Sequence, residues 1–146
     1  MTRVSEVMTK DVIHSVSSKA SVEEAAKKMW QVRRGCLVIV DKGHLVGIIT
    51  ERDIVQKAIA HGKSPQETLV SEIMSKPVIS VGPEALVSDA ARVMADNKIR
   101  RLPVTVGTEV VGMLTVTDMA RHLQARGRPD QMLAVMARVS SLLTQT

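Results

Sequence analysis

The sequence has no phenylalanine and no tyrosine, a single tryptophan, Trp30, and a single cysteine, Cys36. Each scarcity excludes something. One cysteine cannot form an intrachain disulfide or a cysteine-rich zinc site, and inside an apolar run Cys36 reads as a small core residue. Without Phe and Tyr the chain lacks the aromatic platforms on which unpaired bases stack, so nucleic-acid readout of that kind is disfavoured. No apolar stretch approaches the ~20 residues of a membrane-crossing helix, so no membrane partner is expected. Met1–Ser5 has no apolar signal-peptide core, which makes a cytoplasmic location the expectation. No run of five basic residues occurs either, although the net charge is +5. That excess favours anionic partners in general, or is simply a scattered solvated surface.

Catalytic signatures are equally scarce. His14, His44, His61 and His122 have no metal-ligand spacing. There is no Gly-x-Ser-x-Gly and no glycine-rich loop ending in Gly-Lys-Ser/Thr. With no nucleophile, no oriented base and no metal site, neither enzyme activity nor a required cofactor is expected.

What is present is a repeat. Leu45-Val46-Gly47-Ile48-Ile49-Thr50-Glu51-Arg52-Asp53-Ile54 returns as Val110-Val111-Gly112-Met113-Leu114-Thr115-Val116-Thr117-Asp118-Met119, shifted by 65 positions. Upstream, Val4-Ser5-Glu6-Val7-Met8-Thr9-Lys10 returns as Val70-Ser71-Glu72-Ile73-Met74-Ser75-Lys76, shifted by 66. Between these anchors Val22, Ala25 and Met29 return as Val87, Ala90 and Met94. A repeat of this period governs the reading of the fold.

Each copy reads strand–helix–strand–strand–helix. Val12-Ile13 is a brief strand. Ser21-Val22-Glu23-Glu24 is a capping box, and the helix behind it places Val22, Ala25, Ala26, Met29 and Trp30 on one face. Trp30 is expected in the core or at a subunit contact. Two apolar strands around Asp41-Lys42-Gly43-His44 form a hairpin, and the next helix points Ile54, Val55, Ala58 and Ile59 inward before Gly62, a C-cap. The second copy repeats this order without a serine cap, since Leu86 stands where Ser21 stood. A last amphipathic helix carries Met132, Val135, Met136, Val139, Leu142 and Leu143. The expected bounds are 1–63, 64–127 and a C-terminal helix over 128–146. A unit of ~60 residues has a marginal core alone, so the two are expected to pair about a pseudo-twofold axis.

Two features can carry binding chemistry. Thr50-x-x-Asp53 and Thr115-x-x-Asp118 each match a helix N-terminal cap, worth ~1 kcal/mol. The same geometry suits a nucleotide: a Thr hydroxyl and a helix N-terminus can meet a phosphate, and a carboxylate can accept from both ribose hydroxyls. Arg100-Arg101-Leu102-Pro103-Val104 places two guanidinium groups where a strand begins. Arginine clamps phosphate with paired charge-assisted bonds, although such a pair is also found on solvated edges. The first copy has Gly35 and Cys36 at the matching positions.

The repeated Gly-h-h-Thr-x-x-Asp (h apolar), the opening Val-x-x-Val/Ile-Met and the Arg-Leu-Pro-Val resemble a tandem pair of CBS domains, from about Val4 to His122. The resemblance implies an α/β (α+β) fold of two β-α-β-β-α units packed through their small sheets, with adenosyl ligands held in clefts between them. It implies a ligand such as AMP, ADP, ATP or S-adenosylmethionine. It places ribose on Asp118 and Asp53 and phosphate on Thr115, Thr50, Arg101 and Arg100. Ile13, His14, Ile79, Ser80 and Pro103 would flank the base. Cys36 replaces the Arg and Val38 the Pro in the first copy, so a site drawing its phosphate contact from that strand should be weaker or empty. The resemblance also implies a homodimer and an as yet unidentified regulated protein. A dimerising adaptor without a ligand and a nucleic-acid-binding protein are the other expectations.

Overall fold

The computed structural model describes residues 1–10 and 13–125. The expected helix over 128–146 and Val12 of the expected first strand lie outside the described residues. The fold is mixed α/β. In chain order the elements are β1 (Ser15–Val16), α1 (Val22–Val32), β2 (Cys36–Asp41), β3 (His44–Thr50), α2 (Glu51–Asp53), α3 (Val87–Asn97), β4 (Arg101–Val106), β5 (Glu109–Thr115) and α4 (Val116–Ala125). The first strand lies at Ser15–Val16, just past the expected Val12-Ile13. β1 runs parallel to β2, and β2 pairs antiparallel with β3. β4 and β5 form the matching hairpin, with Val81 bridged in parallel to Val104.

Local chemistry accounts for most of these boundaries. The Ser21 hydroxyl accepts the Glu24 N–H at 3.0 Å and starts α1, whereas Leu86 offers α3 no side-chain cap. Lys42 (φ 52°) and Gly43 (φ 80°) both take the left-handed conformation that a tight hairpin turn demands. Gly62 ends the first-copy helical segment at φ 70°.

That segment departs from expectation. After α2 the chain widens into a π-helix over Ile54–Ala58 and then tightens into a 3₁₀ turn over Ile59–His61. A 3.6-residue spacing no longer selects one face across such a change of pitch. Ala58 is buried as expected, but Val55 and Ile59 are exposed. Trp30 is also outside the core, 69% exposed, with the Arg33 guanidinium 4.3 Å from its ring centre. The inward face of α1 is Val22, Ala25 and Met29.

Each compact unit draws on both repeats. One consists of Met1–Ile13 with the chain from Ser80 onward, the other of His14–Ile79. Each repeat's opening segment is therefore built into the unit formed by the rest of the other repeat. In the first unit Val4 is fully buried with Ala90, Met94, Leu102, Leu114 and Met119. In the other, Val70 and Ile73 are buried with Val22, Leu37, Ile39 and Ile49. The backbone bonds match pair for pair. Val4 N–H donates to Ala85 O and Val70 N–H to Ala20 O, both at 2.8 Å. Thr9 and Met113 exchange bonds at 2.8 and 3.0 Å, and Ser75 and Ile48 do so at 2.9 and 3.2 Å.

This exchange explains the glycine of each Gly-h-h-Thr-x-x-Asp. Met8 lies over Gly112, where an added Cβ would come within 2.5 Å of its sulfur. Met74 lies in the same way over Gly47. The opening Val-x-x-Val/Ile-Met and the strand glycine are two halves of one contact, each supplied by a different repeat.

Candidate functional site

The site builds up from the β4–β5 hairpin. Its register sets Arg101 directly opposite Thr115 and Pro103 opposite Met113. Residues paired this way project to the same face, so the arginine and the threonine stand side by side where β5 runs into α4. The Thr115 hydroxyl accepts the Asp118 N–H at 3.0 Å, fixing the first turn of α4. Arg100 contributes its backbone: its carbonyl takes the Val116 N–H at 3.1 Å, while its side chain is exposed. Arg101 is half-buried. Among the described residues neither arginine is paired with a carboxylate, so the guanidinium of Arg101 is free to meet an anion.

Asp118 is 19% exposed, with the Arg121 guanidinium 4.0 Å from Oδ1. Its Oδ2 receives the Thr9 hydroxyl at 3.4 Å. Sequence reasoning missed Thr9, because it belongs to the opening segment of the other repeat and reaches the site only through the exchange. Its matching position, Ser75, was visible only as part of the repeat.

In the other unit the register sets Cys36 opposite Thr50. Cys36 is 8% exposed, a core residue as its apolar setting suggested. Thr50 and Asp53 form a complete reciprocal cap: Asp53 N–H donates to the Thr50 hydroxyl at 3.1 Å, and Thr50 N–H donates to Asp53 Oδ2 at 3.0 Å. Asp53 Oδ1 is taken by the Lys57 ammonium at 3.1 Å. Lys57 was not anticipated, although an acid followed four residues later by a lysine on a helix is a recognisable pairing signal.

The residues expected to flank a base are divided by the chain's two crossings between units. Ile13, Ser80 and Pro103 belong with Asp118, and His14 and Ile79 belong with Asp53. Pro103 is buried, and its carbonyl takes the Val81 N–H at 3.1 Å. Ser80 is exposed, with the Thr105 hydroxyl 3.2 Å from its own. The His14 carbonyl accepts the Val38 N–H at 3.3 Å, and Ile79 is 39% exposed. Among the described residues no group of three or more His, Cys, Asp or Glu side chains could hold a metal ion. No described helix is long and apolar enough to cross a membrane.

Two strand–helix–hairpin–helix units, each closing on a strand, a glycine and Thr-x-x-Asp at a helix start, have the architecture of a paired regulatory module. The CBS domain model matches residues 4–59 and 70–125, and the chain belongs to the CBS domain family. It is 38% identical over 120 residues to the CBS domain-containing protein YhcV of Bacillus subtilis, covering 82% of this chain and 84% of that protein. It is 41% identical over 118 residues to an uncharacterised protein of Methanopyrus kandleri, covering 80% of this chain but only 60% of that longer protein. Among solved structures it is similar to the CBS domain pair of protein MJ0100 in complex with 5′-methylthioadenosine and S-adenosyl-L-methionine. That likeness has a TM-score of 0.77 at 34% identity and covers 86% of this chain and 98% of that one.

Proposed function

We propose that this protein is a non-catalytic sensor that binds an adenosyl ligand, AMP, ADP, ATP or S-adenosylmethionine, and passes the signal to a partner protein. The observation that carries the reading is the cluster at the β5–α4 junction. Arg101 stands beside Thr115 in register, and Asp118 follows one turn into a regular ten-residue helix. A guanidinium with no carboxylate partner among the described residues suits a phosphate or carboxylate. The Asp118 carboxylate, a pure acceptor, suits a ribose diol. The adenosyl ligands of the MJ0100 pair support the choice of ligand class.

A thermal-melt screen against AMP, ADP, ATP, S-adenosylmethionine, NAD and GTP tests it. A ligand at about 100 times its Kd stabilises the native state by ~2.7 kcal/mol, which raises the Tm by roughly 5–10 °C for a chain of this size. The shift should vanish in Asp118→Ala. A flat response to every adenosyl compound would dispose of the proposal.

A dimerising adaptor is the second reading, favoured by an apolar face on the unit His14–Ile79. A groove of about 450 Å³ there is lined by Val22, Ala26, Trp30, Ile54, Ile59 and Pro65 among others, and Trp30 and Ile59 are 69% and 53% exposed. Under this reading the protein is a homodimer that Trp30→Glu converts to a monomer in sedimentation, with no melting shift from any nucleotide.

A further inference from the structure

We propose that each chain takes a single adenosyl ligand, at Asp118, and that the matching place at Asp53 is closed from within by Lys57. The inference rests on the adenosyl reading above and adds to it an occupancy and the residues that set it.

The two carboxylates are equivalent by sequence and different in their surroundings. At Asp53, Oδ2 is held by the Thr50 N–H at 3.0 Å and Oδ1 by the Lys57 ammonium at 3.1 Å. The same ammonium lies 3.4 Å from the carbonyl of Ile73, a core residue 3% exposed, which ties the lysine across the carboxylate. A ribose diol donates two hydrogen bonds to such a group, and at Asp53 it would have to compete for both oxygens with that cation and the Thr50 N–H. At Asp118 the neighbours are looser. The Thr9 hydroxyl is 3.4 Å away, and Arg121, 76% exposed, reaches only to 4.0 Å. The position matching Lys57 is His122, so the lysine latch has no counterpart there.

The anion-binding half of each site is also unequal. Arg101 stands opposite Thr115, whereas Cys36 stands opposite Thr50. The first-copy strand offers no cation at that point, and Lys57 is already committed to Asp53. α4 is regular over ten residues, while α2 is three residues long before the helix changes pitch. Losing one charge-assisted contact weakens binding by roughly 10- to 100-fold, and the Asp53 place lacks the arginine and has its carboxylate occupied.

Isothermal titration of the full chain with AMP, ATP and S-adenosylmethionine tests this directly. The expected result is one ligand per chain for the compound that binds, with the heat abolished in Asp118→Asn, a substitution that keeps the side-chain shape. The melting curve of that variant, recorded alongside, establishes that it is folded, and the wild-type stoichiometry does not depend on it. Two ligands per chain would overturn the inference and leave the adenosyl reading standing. So would a single ligand that binds Asp118→Asn with unchanged Kd. No heat from any of the three compounds with the wild-type chain would sink both.

Discussion

Gly112→Ala is the substitution that interrogates the exchanged architecture. The added Cβ would lie 2.5 Å from the Met8 sulfur, 3.0 Å from its Cγ and 3.1 Å from the Thr9 carbonyl oxygen. The thioether can swing aside, but the carbonyl cannot, because Thr9 is held by paired backbone bonds to Met113 at 2.8 and 3.0 Å. Overpacking of this kind costs ~1–3 kcal/mol, a fall in Tm of roughly 3–10 °C. Gly47→Ala is the internal control. Its three nearest neighbours all belong to the Met74 side chain, so relief is cheaper and the cost should be about 1 kcal/mol or less. Urea denaturation of both variants, each combined with Met8→Ala or Met74→Ala, gives double-mutant cycles. Residues in contact couple by ~0.5–3 kcal/mol, and distant ones add within ~0.5. Gly112→Ala should couple to Met8→Ala, 104 positions away in sequence, and be additive with Met74→Ala, which opens its own repeat. Coupling to Met74 in place of Met8 would refute the exchange.

Arg101→Ala should weaken AMP binding by roughly 10- to 100-fold and leave adenosine within about 2-fold; an equal loss for both ligands in a titration would remove the phosphate role. Ser21→Ala removes the acceptor for the Glu24 N–H and should cost ~0.5–2 kcal/mol in chemical denaturation; no change would mean that α1 is held by packing alone. The Ser18 hydroxyl and N–H, with a smaller contribution from Ser17, hold the Asp41 carboxyl below its ordinary value of 3.8. A lowered folded-state value means that its stabilisation is present above 3.8 and lost as pH falls through the lower folded value. The Tm gap between wild type and Asp41→Asn should therefore be open at neutral pH and close in acid; a gap that persists unchanged at the lowest pH would refute the assignment.

The features legible in the sequence are those written locally or by repetition. The hairpin turn at Lys42–Gly43, the Ser21 cap and the Gly62 stop are each decided by a few adjacent residues. The hairpin expected in each copy is enough to bring Arg101 opposite Thr115, so their proximity follows from adjacent strands. What could not be read depends on long-range choices. A repeat shows that two segments are alike but not which copy of the opening segment packs on which hairpin. That ambiguity hid Thr9 from Asp118 and paired Met8 with the other repeat's glycine. Val55 and Ile59 lie outside, against their spacing, because the chain takes a π-helix over Ile54–Ala58 that no residue there announces. Of the two places expected for Trp30, the core is taken by Met29 beside it, and the ring lies outside beneath Arg33, where a subunit contact could still cover it.

The exchange of opening segments bears on what half of such a chain could be. A fragment ending at residue 63 would carry Val4 and Met8 with no Gly112 hairpin to receive them, and it would lack the Val70, Ile73 and Met74 that complete its own core. Trading opening segments with a second copy of itself would bury both deficits. Carried on one chain, the same trade is internal, and the two copies need not be identical: Cys36 and Arg101 stand at matching positions opposite Thr50 and Thr115.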